Sequence, residues 1–502
     1  PNWFLMPMEE AYRLTGRYEE AIETAKEYLR RLDHFFTRTR LALYYAQSGR
    51  DEEARAEIER VLQAKPDMNL EYWASAQYFK DPARTERDLA DLRRVGLPGN
   101  PPLALPDKPS IAVLPFDNMS GDPEQAYFAD GMTEDLITDL AKISGLLVIA
   151  RNSTFAYKGQ SPDVREVARQ LDVRYVVEGS VRKAGGRIRI NAQLIDAETG
   201  AHLWAERYDR EATDVFDLQD EVRARIVAAL RVKLTPAEVT RLALQQTNNP
   251  EAYDTYLRGL RQESFFTKEG NLESRRLFGR ALELDPAFAT AAAKLATAHS
   301  LAAEFDWSPA PADSMQTAHI LAEKAVALDD DLPLAHWTLA RVLSRRQTFD
   351  GDRAIAELEK AIALDPNYAD AYAFLANTLV MVGRAEEALG QIERAMRLNP
   401  HFPFWYYYVL GTSQFMLTRY DAALENLQSA IERNPTVPWS HRILAASYGH
   451  LGMREDAEWE LEELRTLGYD SSIADIRRTT NFQDPAYLER YLDGLRKAGM
   501  PE

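Results

Sequence analysis

The chain has 502 residues, more than one ordinary hydrophobic core accommodates, so roughly two to four domains are expected. Its formal net charge of −18 argues against nucleic acid as a partner, because nucleic-acid-binding proteins carry basic surfaces that neutralise phosphates. The absence of cysteine excludes disulfides, thiolate metal sites and cysteine nucleophiles.

No stretch has the ~18 consecutive apolar residues of a membrane span, and no signal peptide is visible. We therefore expect no membrane span in this chain and a cytoplasmic location, with a periplasmic one left open. The first residue is Pro1, and a helical pattern is already under way there. This pattern predicts a fragment or a processed product.

Residues 1–95 have the pattern of amphipathic helices interrupted at Gly16, Gly49 and Pro66. After each of these glycines the sequence resumes with acidic residues, as expected where one helix ends on glycine and the next begins with an acidic first turn. Residues 96–109 are dense in proline, which cannot continue a helix, and this predicts an extended linker.

Residues 110–235 differ from the rest because short apolar runs alternate with glycine turns. Ile111–Phe116 and Leu146–Ile149 predict two buried strands, and Met132–Ile143 predicts a helix with one apolar face. Ser161, followed by proline, predicts the start of a second helix.

Three further strands are predicted at Tyr175–Arg182, Arg187–Ile195 and Ala201–Tyr208, which form two hairpins. A helix at 215–234 ends the module. Together these elements predict an α/β sandwich whose sheet is covered by helices on one face.

Within residues 249–502 the same short motif recurs, and it has the pattern of the C-terminal end of a helix. In this motif an alanine is followed by apolar residues, then by an aspartate or asparagine, and usually by a proline. The alanine recurs at positions 281, 325, 361, 395 and 430. A period near ~34 residues with small residues at fixed positions resembles the tetratricopeptide repeat, a pair of antiparallel helices that buries its apolar face against the next pair. We predict a mostly α fold, with tetratricopeptide arrays (an α-solenoid) on both sides of a central α/β module and a C-terminal cap helix at 486–497.

The N-terminal stretch matches the C-terminal stretch at a separation of 403 residues. The matching residues include Leu41, Ala42, Tyr45, Gly49, Glu52 and Ala54 with Leu444, Ala445, Tyr448, Gly452, Glu455 and Ala457. This predicts that residues 1–95 are the C-terminal part of an earlier array with its own cap helix, and that more repeats lie upstream.

The central module carries a set of motifs that resembles the TolB-N-terminal-like (FlgO-like) module. The motifs are Pro109–Phe116, Asn118–Glu124, Phe128–Thr133, Tyr175–Arg182 and His202–Tyr208. With the repeats behind it, the combination is similar to the C-terminal half of bacterial class III adenylate/guanylate cyclase-like proteins. The resemblance implies a signalling association, but these 502 residues contain no cyclase catalytic segment.

No constellation of residues indicates catalysis. The histidines have no metal-ligand spacing, and no phosphate loop, dinucleotide fingerprint or nucleophile elbow occurs, so we expect no enzyme activity, metal or cofactor. The loop with Asn118, Ser120 and Asp122 is a candidate ligand loop, because it follows a buried strand. These residues also form ordinary turns, which is the favoured interpretation.

Glu134, Asp135 and Asp139 form a cluster of carboxylates. We interpret the cluster as first-turn residues that complement a helix dipole.

The resemblance to tetratricopeptide arrays implies that the first helix of each pair lines a concave groove. Counting from the repeat alanines places a set of polar and aromatic residues there: Asn377, Trp405, Tyr408, Trp439 and Arg442. Such residues suit a protein or peptide partner. The alternative is that Trp405 and Trp439 pack between repeats.

Three functions are consistent with these patterns. The first, which we favour, is a non-catalytic interaction and regulatory module that binds a protein or peptide through the repeat groove. The second is the regulatory appendage of a class III cyclase whose catalytic domain lies upstream. A third reading is a transcription-factor sensor, because similar modules also follow winged-helix domains. Homo-oligomerisation is left open.

Overall fold

The computed structural model describes residues 5–31, 35–65, 68–70, 73, 82–98, 108–160, 162–184, 186–211, 214–243 and 246–502. It divides into two compact bodies, each of which is described separately. The central body comprises residues 105–419 and 475–490, and the terminal body comprises residues 1–104, 420–474 and 491–502. The predicted linker falls largely on residues outside the described ranges, as do Ser161 and Gly185.

A six-stranded sheet forms the α/β module of the central body. Its strands are β1 (Ser110–Val113), β2 (Asp117–Asn118), β3 (Leu147–Val148), β4 (Tyr175–Ala184), β5 (Arg187–Asp196) and β6 (Ala201–Glu211). The strand order is β3-β1-β4-β5-β6, and β2 pairs with β4. Pairs that involve β1, β2 or β3 are parallel, and the β4–β5 and β5–β6 pairs are antiparallel.

Side chains of the sheet alternate between two faces, as the pleat requires. Ile111 and Val113 pack on one face with the long helices, whereas Ala112 and Val176 pack on the other face. On this second face, a short helix packs on the parallel strands β1 and β4 and buries Leu171. The prediction that helices cover only one face of the sheet is therefore wrong.

The helices of this module are α6 (Ala126–Ala141), α7 (Arg151–Phe155), α8 (Val164–Leu171), α9 (Val215–Ala229) and α10 (Pro236–Leu242). Three predicted bounds were wrong. The first strand ends at Val113, and Asp117–Asn118 pair with β4 although a loop was expected there. Helix α6 begins six residues before Met132, and α8 begins at Val164 with Asp163 as its N-cap.

The central array continues directly from the module in antiparallel helix pairs. Its helices are α11 (Pro250–Glu263), α12 (Lys268–Leu284), α13 (Ala289–Glu304), α14 (Pro311–Leu328), α15 (Pro333–Leu343), α16 (Gly351–Leu364), α17 (Ala369–Met381), α18 (Ala385–Leu398) and α19 (Phe404–Met416). The repeat alanines Ala281, Ala325, Ala361 and Ala395 are fully buried. Small side chains at these positions let neighbouring helices approach closely. The mostly α fold with a small central sheet is confirmed.

The terminal body is also built from helix pairs. Its helices are α1 (Leu5–Leu14), α2 (Tyr18–Arg31), α3 (Phe35–Gln47), α4 (Asp51–Ala64), α5 (Pro82–Arg94), α20 (Tyr420–Arg433), α21 (Pro438–Leu451) and α22 (Arg454–Thr466). The last two helices, α23 (Ile473–Thr479) and α24 (Pro485–Ala498), contribute residues to both bodies.

The starts of α3, α4 and α5 recur 403 residues later as the starts of α21, α22 and α24. One contact recurs at the same separation. Arg38 Nη1 lies 2.8 Å from Glu57 Oε2, and His441 Nδ1 lies 2.6 Å from Glu460 Oε2. Each pair joins the first helix of its repeat to the second. The bounds of the predicted domains, including the duplicated array at 1–95, stay predictions.

We expect Ala395→Trp to lower the free energy of unfolding of the central body by about 1–3 kcal/mol or more, because an indole cannot fit a fully buried alanine site between two helices. Gly390→Trp is the matched control. It lies on the same helix, and a Cβ added there meets nothing within 4 Å. Chemical denaturation of both variants measures the difference. Equal stability of the two variants would contradict the repeat register.

Candidate binding sites

The loops that end the repeats contact the α/β module. Asn367 follows the Leu-Asp-Pro motif that ends α16, and its Nδ2 donates to the carbonyls of Ala141 (2.9 Å) and Leu146 (3.0 Å). Its Oδ1 accepts from the amide of Val148 at 3.3 Å. One buried side chain of the array thus satisfies three backbone groups of the module.

The next repeat makes an equivalent contact. Asn399 Oδ1 accepts from Ser153 Oγ at 2.7 Å, and Ser153 Oγ accepts from the amide of His401 at 2.8 Å. The amide of Ala150 donates to the carbonyl of Leu398 at 2.9 Å. Module and array are therefore joined at two successive repeat ends through hydrogen bonds to the strand end and helix α7.

Helix α11 of the array packs on α6 of the module. Gly131 permits this close approach, because a Cβ there would overlap the methyl carbons of Leu257. Asp135 accepts a short hydrogen bond from the Tyr253 hydroxyl and one of 2.8 Å from Gln219 Nε2. A single hydrophobic core runs from the sheet into the first repeats.

A charged cluster flanks this contact. Asp254 accepts from the Tyr127 hydroxyl (2.7 Å) and from Lys183 Nζ (2.9 Å), and Arg258 Nε lies 2.9 Å from its other oxygen. Burial opposes ionisation of Asp254, but these donors and cations hold its pKa below the usual value. The cluster ties β4 and α6 to α11.

A cavity of about 350 Å³ lies between the module and the array. Its walls come from α6, from the segment that joins β3 to α7, from α11 and α13, and from the repeat-end loops. The charged residues that line it are Glu134, Asp135, Lys142, Arg151, Glu263, Lys294, Asp365 and Asp370.

Two of these acidic residues are neutralised by cations in the wall. Arg151 Nε lies 3.0 Å from Glu134 Oε2, and Lys294 Nζ lies 2.8 Å from Glu263 Oε2. One pair belongs to the module and the other to the array. Each basic residue thus has a carboxylate partner from its own part of the structure.

Three other carboxyls have raised pKa values. Burial raises the pKa of Asp135 to about 7, and the hydrogen bond from Tyr253 offsets this only in part. Burial also raises the pKa of Asp365 to about 7, against a smaller lowering by the amide of Asn367. The pKa of Asp370 is raised for the same reason, although it accepts from the hydroxyl of Tyr406 at 2.7 Å.

A row of aromatic rings follows the first helices of successive repeats. The ring centroids of Trp337 and Phe374 are 5.2 Å apart, and those of Phe374 and Trp405 are 5.1 Å apart. The guanidinium of Arg341 lies 5.7 Å from the centroid of Phe374. These residues stand on α15, α17 and α19, and Asn377 follows Phe374 on α17. Trp405 therefore contacts the preceding repeat while remaining half-buried.

The other predicted groove residues divide between the bodies. Tyr408 is half-buried on α19 of the central body. Trp439 and Arg442 are half-buried on α21 of the terminal body, where the guanidinium of Arg442 lies 5.7 Å from the centroid of Tyr469. Their role in partner binding stays a prediction.

The predicted ligand loop is held by its own side chains. Asn118 Nδ2 donates to the carbonyl of Asp122 (2.8 Å), and its Oδ1 accepts from the amide of Ser120 (3.0 Å). Ser120 Oγ accepts from the amide of Lys183, and Asp122 Oδ1 accepts from the amide of Glu124, both at 2.9 Å. These contacts have the geometry of a structural turn.

The interpretation of Glu134, Asp135 and Asp139 as first-turn residues is wrong, because α6 begins at Ala126 and places them beyond its second turn. Asp139 pairs with Lys142 (2.9 Å) and Arg223 (2.7 Å), whereas the other two line the cavity. The cavity itself was missed. The residues at the repeat ends have the sequence of ordinary turns. A local sequence pattern does not show which distant residues pack against a turn.

Within the described ranges, no group of three or more histidine, aspartate or glutamate side chains is placed to hold a metal ion. Among the helices that the structure describes, none is long and apolar enough to cross a membrane.

Three family models match parts of the chain. The second domain of HilA/YgeH-like transcriptional regulators matches residues 107–225, and tetratricopeptide repeat models match residues 37–68 and 345–405. The tetratricopeptide prediction is confirmed in both regions, and this repeat is typical of protein-interaction scaffolds. The model that matches the central module is a different one from the TolB-N-terminal-like module, and that part of the resemblance is not confirmed.

A protein of Rhizobium meliloti (strain 1021) named "Putative adenylate cyclase 3" is 52% identical over 271 residues, which cover 54% of this chain and 45% of that protein. The chain thus spans less than half the length of this relative.

Two solved structures are similar in part. One is a thermophilic tetratricopeptide protein of Thermus thermophilus, with 18% identity, coverage of 39% of this chain and 98% of its own, and a TM-score of 0.32. The other is PilF of Pseudomonas aeruginosa, with 17% identity, coverage of 44% and 94%, and a TM-score of 0.34. The fold assignment rests on the helices and on the family models.

Proposed function

We propose that this chain is a non-catalytic interaction and regulatory module of a signalling protein, which binds a protein or peptide partner along the first helices of its repeats. The observation that carries this proposal is the aromatic row Trp337, Phe374 and Trp405, which extends over three consecutive repeats. Tryptophan and arginine are the residue types enriched at interface hot spots, and the row has Arg341 at its side.

The pairing around the row supports the same function. Arg341 is almost fully buried, and its Nη2 lies 2.6 Å from Glu304 Oε2. Burial lowers the pKa of Arg341 to about 10, so the guanidinium stays charged near neutral pH. A buried cation beside aromatic rings is costly unless something offsets its desolvation. Glu304 supplies the carboxylate that offsets this cost and holds the guanidinium beside the Phe374 ring.

A second candidate function is the regulatory appendage of an adenylate cyclase. It is favoured by the relative at 52% identity, whose name refers to that enzyme. A third is a sensor domain of a transcriptional regulator, favoured by the family model over residues 107–225. In all three the chain itself binds and does not catalyse.

The groove proposal predicts that Trp405→Ala with Tyr408→Ala weakens a captured partner more than tenfold, because truncating a hot-spot residue typically costs at least ~2 kcal/mol of binding. A photo-crosslinking residue in place of Phe374 identifies the partner segment by mass spectrometry. Titration calorimetry with the synthetic segment then measures its affinity.

Trp439→Ala with Arg442→Ala is titrated separately, because these residues belong to the terminal body. The control is Asn118→Ala with Asp122→Ala, which should change affinity little once its fold is verified by circular dichroism. If the loop variant loses binding and both groove variants keep it, recognition lies in the α/β module and the proposal fails.

A further inference from the structure

We propose that the cavity between the α/β module and the central array is a binding site for a small organic cation, an amine or guanidine that also carries a hydrogen-bond acceptor. The proposal is independent of partner binding in the repeat groove. It rests on the cavity's size, on its uncompensated carboxyls and on two polar groups without partners among the described residues.

The cavity has the dimensions of a small-molecule site. At about 350 Å³ it lies within the range of ~300–1,000 Å³ that is usual for ligand pockets. Its wall combines apolar side chains such as Leu260 and Leu332 with a few polar groups that converge from different elements. This composition is typical of a site that encloses a small molecule and orients it.

The charges that line the cavity do not balance. Glu134 and Glu263 are paired with the basic residues Arg151 and Lys294. The remaining basic residue of the wall is Lys142, whose Nζ lies 2.9 Å from Asp139, a residue that does not line the cavity. The basic side chains of the wall are therefore already engaged.

Three carboxyls of the wall are left with neutral hydrogen-bond partners. Asp135, Asp365 and Asp370 form no ion pair within 4.0 Å with any residue that the structure describes. Cations act on two of them only from a greater distance: Lys142 and Arg241 on Asp365, and Lys294 and Arg341 on Asp370. The raised pKa values of all three are what carboxyls show when burial is not offset by a cation.

Two amide groups show that the cavity also presents hydrogen-bonding groups to a ligand. Asn399 is fully buried and lines the cavity, and its Nδ2 has no acceptor among the described residues. Its orientation is fixed, because Oδ1 accepts from Ser153 Oγ, which is itself the acceptor for the amide of His401. Asn399 Nδ2 also lies near the Tyr406 hydroxyl, but without the geometry of a hydrogen bond.

The second group is Gln246, which lines the cavity and donates from Nε2 to Asp135 at 3.3 Å. Its Oε1 is buried and has no donor among the described residues. A buried polar group without a partner costs free energy unless a ligand or water satisfies it. An ammonium or guanidinium would satisfy Gln246 Oε1 and the nearby carboxyl, and the ligand's acceptor would satisfy Asn399.

The test titrates the full chain at about pH 8, above the pKa of about 7 that burial gives Asp135 and Asp365. Three probes of similar size and one amide each are compared: 4-aminobutanamide (cation), pentanamide (neutral) and succinamate (anion). Calorimetry and thermal shift should show binding of the cation at least tenfold tighter than the neutral probe, and none of the anion. Equal effects of the three probes would overturn the proposal.

Localisation uses charge-removing variants that preserve local structure. Asp365→Asn keeps the turn, because Asn399 occupies the equivalent repeat position, and Asp370→Asn keeps an acceptor for Tyr406. Each should weaken the cation at least fivefold. Asp313→Asn, which removes an exposed carboxyl on α14, is the control and should bind as wild type.

Hydrogen exchange supplies a readout that does not depend on variants. The cation should protect residues 134–142 and 365–370, which include residues that line the cavity. An acetylated Gly-Gly-Lys-Gly-Gly amide is titrated in the same way. Binding of this peptide would indicate a lysine side chain of a protein as the natural ligand, and binding of the small amine alone would indicate a free amine. If the cation binds all variants equally, or protects other segments only, it binds elsewhere and the assignment is wrong.

Discussion

Asn367→Ala is expected to lower the free energy of unfolding of the central body by about 3–5 kcal/mol, because it leaves three buried backbone groups without partners at ~1–3 kcal/mol each. These groups are the carbonyls of Ala141 and Leu146 and the amide of Val148. Asn367 is only 7% exposed. Few single substitutions of a polar residue reach this size.

Hydrogen exchange at the amide of Val148 is the direct measurement, since that amide is held by Asn367. Its protection should fall together with the midpoint of urea denaturation. Asn377→Ala is the matched control, because Asn377 is a half-buried asparagine on the adjacent helix α17. Its cost should stay near ~1 kcal/mol or below. Equal losses in the two variants would show that Asn367 does not join the module to the array.

Asp365→Asn is expected to stabilise the central body at pH 8 and to have little effect near pH 4. Burial raises the pKa of Asp365 to about 7, above the ~3.9 of an unfolded aspartate. Between these values the folded state binds the proton more tightly than the unfolded state, so stability falls as the pH rises. Asparagine cannot ionise, so the variant does not lose this free energy of unfolding, which amounts to about 2–4 kcal/mol.

The measurement compares wild type and variant by denaturation at several pH values. The difference between the two chains isolates Asp365, because other titrating groups are common to both. The free energy of unfolding of the variant should still depend on pH, since the pKa of Asp135 is also raised to about 7. If the difference in free energy of unfolding between the two chains stayed constant from pH 4 to pH 8, the pKa of Asp365 would not be raised in the folded state. An exposed control is Asp313→Asn, which should show no pH-dependent difference.

The repeats could be predicted from the sequence because their signal is local. A buried alanine such as Ala395 recurs with the repeat, and the residues that pack around it lie close by in the chain. The strands were found for the same reason, since β-branched runs and glycine turns are short-range patterns. Their ends were less well predicted, because Leu114 and Phe116 are buried without belonging to a strand.

The cavity could not be predicted because it depends on distant contacts. Asp365 and Asn367 have the composition of an ordinary turn, and the sequence does not show that the turn is covered by residues 141–148, which lie more than 200 positions earlier. Asp135 was misplaced because the start of α6 carries no strong cap: Gln125 makes no side-chain hydrogen bond there. The aromatic row was partly foreseen through Trp405, whereas Trp337 and Phe374 were not singled out.

The terminal body is built from segments that lie far apart in the chain, and this affects how the protein folds while it is synthesised. Tyr28 lies near enough to Glu432 and Asp456 for their charges to add to the effect of burial on its pKa, which is raised to about 12. The ribosome makes these groups more than 300 residues apart, a delay on the order of tens of seconds at ~5–20 residues per second. During this interval the first helices have emerged, but the C-terminal segments that complete their compact body have not. The nascent chain therefore exposes apolar helix faces of this body until the segments at 420–474 and 491–502 have been made.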